Sequence, residues 1–508
     1  MPKTRRQLTA DKRLIQNLKS KIMEILRCIA IDLGAASCRV SLGEWDGQDA
    51  KVRLAHRFQN APVERDGHLY WPLERLCQGV EQGLRLCAEL LSESKGAIHS
   101  VGVDGWAVDY VRLDAAGRPL GDPFCYRDPR TENAMPEVWA RIGQERLYEL
   151  TGIQFLRFNT LYQLYADRRD GLEPAARWLN IPEYLLHRLA GREPETAVAE
   201  YTNATHTQLV DARSRQWCDE IFEKAGLDRS AAPSIVPPGT RLGFLRGEIG
   251  SLPAFRATQV IAPACHDTGA AVAGIPDENT DWAFISSGTW SLVGTVLEEP
   301  CTSASARQEN FTNEGGVGGR IRFLKNVNGL WLLEECLREW SRLAGAGGRA
   351  WTLPELIAEC ERKPVPKTVF NVDAPELILP GQMPAKINRQ LEQAGHEPIG
   401  EGAEHAPEMA QVIFASLAAR YAEVLRALQA VTGRRFRCLY IVGGGSQNEH
   451  LNRLIAERTG LEVKRGPTES STIGNLAIQF AALEGGQRGV TSADVARWSA
   501  RLNRALTG

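Results

Sequence analysis

The 508-residue chain carries 60 basic and 62 acidic side chains, a formal net charge of −2, and 43% hydrophobic residues. That length exceeds one ordinary core and suits two large α/β lobes, or about three domains at roughly 150 residues each. The balanced charge excludes nucleic acid as a main partner, and no apolar run reaches the roughly 18 residues of a membrane span.

The first 26 residues, "MPKTRRQLTADKRLIQNLKSKIMEIL", are basic, with Leu14, Leu18, Ile22 and Ile25 at helical spacing. They read as an extension (1–26), either an appended start ahead of Met23 or a docking helix. Next, "CIAIDLGAASCRVSLGEW" predicts two strands joined by a tight turn at 34–37, and "KVRLAHRF" a third. "PLERLCQGVEQGLRLCAELLSE" has helical periodicity, and "IHSVGVDGWAVDYVRLD" returns to strand character. Three strands, a helix and a strand make one α/β layer unit.

Residues 151–250 read as an insertion, with helices around "NTLYQLYADRR" and "IPEYLLHRLAG". The strand "QVIAPA" then runs into "CHDTGAAV". Turn formers in "GIPDENTD" separate a first lobe, 27–275, from a second, 276–508. In the second, "DWAFISSGTWSLVGTVL" repeats strand, turn and strand. "LYIVGGGSQNEHLNRLIAERTGLEVK" gives strand, glycine turn, helix and strand. No short repeat exists, which disfavours solenoids and propellers. Eleven scattered cysteines without a C-x-x-C pair suit reduced thiols, and the missing apolar h-region points to a soluble, cytoplasmic protein.

Three strand-end turns carry the chemical signal. In "IDLGAAS" the turn amides can face a phosphate, with Asp32 placed to hold a hydrated magnesium ion. In "SSGTWS", Ser287, Gly288 and Thr289 can do the same, and in "IVGGGSQN" glycines let a nucleotide approach the backbone. Neither a Walker pattern nor a dinucleotide fingerprint is present. Asp267 has two readings. It can accept the proton of an attacking sugar hydroxyl, with His266 orienting the sugar, or it can cap the helix "TGAAVAGI". Asp32 and Asp267 are expected to converge across a hinge. Trp331 reads as core, and Trp106 as a candidate for the sugar site.

From about Arg27 to Ala482 the chain resembles the FGGY sugar kinases, and is most similar to the branch that phosphorylates L-rhamnulose. The resemblance rests on "AIDLGAASCRV", "VDGWAVDYVRLD", "YRDPRT", "TGIQFLRFNTLYQL", "EYTNATHTQLV", "CHDTGAAV", "SSGTWSLVG", "TNEGG", "LKNVNGLWLL", "VGGGSQN" and "GPTESSTIGN". It implies an α/β, actin-like (ribonuclease H-like) fold of two lobes, with ATP in the cleft and magnesium-dependent transfer of its γ-phosphate to a ketose 1-hydroxyl. By position, Asp267 is the proton acceptor, with Ala107, His266, Thr268 and Asn326 at the sugar. Ala35, Ala36, Ser37, Cys38, Arg39, Thr289, Glu334 and Gly444 match ATP contacts, and Asp32 the metal anchor through water. Ala36 and Cys38 depart from the family's "GASSGR", and Gly105 and Ala107 from "DTWGVDF". Glu334 stands at a glutamine position. These departures leave a kinase for L-fuculose or a pentulose as an alternative, and a non-catalytic ATP-binding sugar sensor as a second. A monomer or small homo-oligomer is expected.

Overall fold

Continuous apolar runs set the central strands. β1 (Leu26–Leu33) is buried from its second residue onward, as a strand covered on both faces must be. β2 (Ser37–Trp45) pairs antiparallel with β1 and with β3 (Ala50–Gln59). α1 (Leu73–Leu90) buries Leu73, Leu76, Cys77, Val80, Leu84 and Cys87 along one stripe and returns the chain to β4 (Ser100–Gly105), parallel to β1. β5 (Thr240–Phe244) and β6 (Gln259–Ala262) complete a six-stranded sheet in the order β5-β6-β4-β1-β2-β3, and α2 (Asp267–Ala273) follows.

The second half repeats this plan. It contains β7 (Trp282–Ser287), β8 (Trp290–Leu297), β9 (Thr312–Gly315), β10 (Ile321–Asn328), α3 (Trp331–Ala344), α4 (Ala406–Thr432), β11 (Cys438–Val442), α5 (Glu449–Thr459), β12 (Glu462–Arg465), α6 (Ser470–Gly485) and α7 (Ser492–Thr507). Its six-stranded sheet has the order β9-β10-β8-β7-β11-β12. In each sheet an antiparallel set is followed by parallel strands reached through helical crossovers. This duplicated unit is the two-lobe, ribonuclease H-like arrangement expected from the sequence. The computed structural model describes residues 25–93, 96–344, 350–486 and 488–507. The amphipathic reading of the N-terminal extension therefore lies, up to residue 24, outside the described residues.

Between β4 and β5 the helices Thr160–Arg169 and Ile181–Leu189 form as predicted. The run "IHSVGVDGWAVDYVRLD" is not one strand. β4 stops at Gly105, and Tyr110–Leu113 joins a separate ribbon with Arg177–Asn180. Between them Val108 takes φ +71°, a left-handed conformation that a β-branched side chain rarely adopts. Such strain, of order 1–3 kcal/mol, persists where neighbours over-determine it. Here Thr160 Oγ1 donates to the Val108 carbonyl at 2.8 Å.

The last two helices cross back to the first sheet. Ile473, Leu476, Ala477 and Phe480 of α6 pack with Cys28 and Ala30 of β1 and with Val495, Trp498 and Leu502 of α7. Inside that contact Ser100 Oγ donates to Gln479 Oε1 at 2.7 Å, and Gln479 Nε2 donates to the Ile29 carbonyl at 2.9 Å. Gly102 leaves the room: a Cβ there would lie 2.9 Å from both Asn475 Oδ1 and Gln479 Nε2. Because a buried polar group without a partner costs about 1–3 kcal/mol, Gln479→Leu is expected to lower the urea-unfolding free energy by about 3 kcal/mol.

Candidate active site

A cleft with about 400 Å³ open to water lies between the sheets, at the carboxyl ends of β1, β4, β6, β7 and β11. Crevices outside strand carboxyl ends are where α/β sheets bind ligands. Asp32, Ala35, Ala36, Ser37, Arg39, Ala107, His266, Asp267, Thr268, Thr289, Asn326, Glu334 and Gly444 all line it. Cys38 does not. Its side chain is fully buried behind the turn, with Sγ 3.7 Å from the Gly34 carbonyl, and burial pushes the thiol well up. A second hollow, between Phe244 and Ala257, contains no carboxylate and stands away from every strand end named above.

At one side of the cleft, Asp32 Oδ2 accepts from Ser471 Oγ at 2.7 Å and from Arg39 Nη1 at 3.2 Å. Its register partner on β4 is Asp104, fully buried, with Oδ1 lacking a hydrogen-bond partner. Burial and the neighbouring Asp32 raise Asp104 well above the usual carboxylate range. Carboxylate oxygens gathered at one strand edge are a donor set that fits a hard divalent cation.

Asp267 opens α2, whose N-cap is His266. Its Oδ1 accepts from the adjacent Thr268 amide at 2.5 Å, so it is not the capping residue, and it faces the cleft with 37% of its side chain exposed. Burial of its surroundings, then Asp32, push its pKa up to about 7. A carboxyl with that value suits proton transfer near neutral pH. Asp32 and Asp267 thus share one cleft, but they do not meet across a hinge: both belong to the first sheet, at the ends of β1 and beyond β6.

The loop holding Asp267 is anchored from the inserted region, a support not singled out in the sequence. Glu200 accepts from the Cys265 amide at 2.8 Å, and Thr202 Oγ1, itself bonded to Glu200, accepts from the His266 amide at 3.1 Å. Gln154 was equally missed. Its Oε1 accepts from both nitrogens of Asn326, at 2.9 and 3.0 Å, and so ties the inserted region to β10. Trp106 lines the cleft with its indole N–H committed to Asp109 at 3.0 Å, so it offers only its ring. Trp331 is core and donates to the Leu377 carbonyl.

On the opposite wall the turns of β7–β8 and β11 interlock. A Cβ at Gly445 would lie 2.0 Å from Ser287 Oγ, whereas one at Gly444 would meet nothing within 4 Å. The first glycine makes room for the neighbouring turn, and the second leaves open the cleft. The helix after this turn starts later than expected, at Glu449, capped by Asn448.

Family comparison agrees with this geometry. Residues 27–274 match the FGGY family of carbohydrate kinases, N-terminal domain, and residues 283–483 its C-terminal domain. The chain belongs to the FGGY family of carbohydrate kinases. It is an ATP-dependent sugar kinase, with the actin-like fold of that family. This FGGY kinase is 38% identical over 460 residues to a rhamnulokinase of Halalkalibacterium halodurans, covering 90% of the chain and 93% of the relative. In fold it resembles a ligand-bound xylulose kinase from Lactobacillus acidophilus (TM-score 0.73, 15% identity, 95% of this chain and 97% of that one). It also resembles Plasmodium falciparum glycerol kinase with ADP (TM-score 0.69, 13% identity, 94% and 93%).

Two outcomes are expected. Gly445→Ala should cost about 1–3 kcal/mol of stability through overpacking against Ser287. Gly444→Ala should leave unfolding within about 0.5 kcal/mol of the parent kinase while raising KM for ATP several-fold. The second concerns pH. Burial raises Asp109 to about 6, Glu200 to about 7 and Glu183 to about 8. The folded form then binds these protons more tightly than the unfolded chain, so the stability they contribute is complete below their unfolded values near 4 and is lost as pH climbs through 6 to 8. The urea midpoint should fall between about pH 5 and 8, and Glu183→Gln should flatten the upper part of that fall.

Proposed function

We propose that this FGGY kinase transfers the γ-phosphate of ATP to the 1-hydroxyl of L-rhamnulose, with Asp267 as general base. The observation that carries this reading is the 38% identity with a rhamnulokinase across 90% of the chain, together with the placement of Asp267 and Asp32 on one cleft wall. The acceptor oxygen attacks the γ-phosphorus, the new O–P bond forms as the bond to the bridging β,γ-oxygen breaks, ADP departs, and the hydroxyl proton passes to Asp267. His266 and Thr268 flank the base, and Ala107 and Asn326 line the same end of the cleft. The turns at 34–39 and 287–289, with Gly444 and Glu334, hold the nucleotide. Asp32 would hold magnesium through water, and that ion neutralises charge on the β- and γ-phosphates when bound. Free thiols, ten of the eleven buried, suit a reducing, cytoplasmic setting.

Ala107 bears on the choice of ketose, because one methyl or hydroxyl is worth about 1–3 kcal/mol in a closed pocket, whereas Gly105 packs toward Leu33 and Pro182 and does not line the cleft. A panel of L-rhamnulose, L-fuculose and pentuloses, ranked by kcat/KM with ATP and magnesium, decides among them. L-rhamnulose is expected to lead by at least about 10-fold. Sugar and ATP binding without product would convert the reading to that of a sensor. Asp267→Asn is expected to lose at least about 100-fold in kcat while still binding nucleotide. Since the base works ionised, kcat/KM for the parent kinase should rise with pH through about 7.

A further inference from the structure

Among the described residues, His206, His266 and Glu314 are a buried set whose ligand atoms lie within 4.8 Å of one another. The cation of this site is Arg322 of β10, whose side chain is 1% exposed. Its Nε donates to the Gly315 carbonyl at 2.8 Å, Nη1 lies 3.0 Å from Glu314 Oε2, and Nη2 lies 3.2 Å from His266 Nδ1. A guanidinium already fills the place a metal would take.

That contact fixes a proton. Guanidinium nitrogens only donate, so the Nδ1 that faces Nη2 presents a lone pair and the ring proton sits on Nε2. Nε2 is 3.3 Å from Asp267 Oδ1. Glu314 Oε2 is also 3.3 Å from Nδ1, and neither 3.3 Å contact has hydrogen-bond alignment; among the described residues the aligned partner of the ring is Arg322. The opposite tautomer would aim a lone pair at the Asp267 carboxylate and repel the charge a base must carry. Burial holds the imidazole neutral, pushing its pKa down to about 3, so the tautomer alone decides what Asp267 meets.

We propose that Arg322 is a positioning residue for the base: by donating to His266 Nδ1 it holds the Nε2–H tautomer, whose proton faces Asp267 and keeps that carboxylate ionised and aimed. The role rests on Asp267 as the base. It also spans the lobes, because Arg322 comes from the second sheet, while His266 and Asp267 follow the first. The charged and titratable groups around Asp267 are Asp32, Asp104, His266 and Arg322, and around His266 they are His206, Glu314, Arg322 and Asp267. Of these, Arg322 alone both supplies positive charge and sets the ring proton.

The test is the pH dependence of kcat/KM for the ketose in Arg322→Met/Glu314→Gln, a double variant that removes both buried charges together. The acidic limb should move upward by about one pH unit or more, with activity recovering toward the parent at high pH. An equal loss at every pH, with the limb in place, marks a merely structural role and overturns the proposal. Nitrogen-15 spectra of the histidine-labelled parent enzyme, with His266 assigned by the signal lost in His266→Gln, give a second readout that survives if the double variant does not fold. An Nε2–H tautomer supports the proposal, and an Nδ1–H tautomer ends it. Full activity in Asp267→Asn would instead remove the base itself, whereas an inactive Asp267→Asn with an unmoved limb in the double variant removes only the role of Arg322.

Discussion

The crowding of like charge at one sheet edge is the constraint on which the rest depends. Asp32 and Asp104 are paired across β1 and β4, and Asp267 stands close enough for Asp32 to raise its pKa. Carboxylates that share a low-dielectric site cannot all ionise without cost, so burial and proximity raise the deepest of them most. Asp104 is that group, because it has no exposure and one oxygen without a partner. Asp32 instead stays within reach of Arg39, and Asp267 opens to the cleft. One edge therefore holds three acids in three different surroundings, two of them, Asp32 and Asp267, lining the cleft.

The return of the C-terminal helices follows from the same constraint. α6 brings Ser471 to Asp32 and Asn475 to Asp104, supplying hydrogen bonds to carboxylates that would otherwise lack them. A helix from the end of the chain thus completes the acidic edge of the first sheet, and its apolar face closes the core behind it. The opposing sheet contributes no acid at the matching turn. There Thr289 and the glycines after β11 offer a hydroxyl and bare backbone, while the Ser287 hydroxyl is buried against Gly445. The duplicated topology is chemically asymmetric: the strand ends of the first sheet carry acids and the matching turn of the second carries a hydroxyl and glycines, while Glu334 enters the cleft from α3.

Periodicity made much of this legible. Apolar runs ending in small-residue turns located β1–β2, β7–β8 and β11, and Asp267 stood out as an acid beside a histidine at a strand end. The alternation of β2 also contained the answer for Cys38: Ser37 and Arg39 face the cleft, so the residue between them must face the core. The break after β4 had no such signal, since nothing in Val108 and Asp109 announces a left-handed turn. Arg322 was visible only as an arginine inside the apolar strand "IRFL", and an arginine there needs a buried carboxylate whose identity sequence spacing cannot supply. The expected hinge between Asp32 and Asp267 failed for a related reason. The inserted region separates them widely along the chain, but β4 and β6 return to the sheet of β1.

A carboxylate as open as Asp267 meets water as readily as sugar, so discrimination in a sugar kinase must come from the surfaces around it. Trp106, Val108, Phe158 and Trp290 line the cleft, and the indole N–H of Trp106 is already committed to Asp109. These largely apolar surfaces offer water few hydrogen-bonding partners. As sugar displaces cleft water, Asp267 loses hydration and its ionised form is destabilised further, which makes it a stronger proton acceptor at the moment an alcohol is present. The same desolvation that lifts the pKa toward neutrality therefore couples the basicity of Asp267 to occupancy of the cleft.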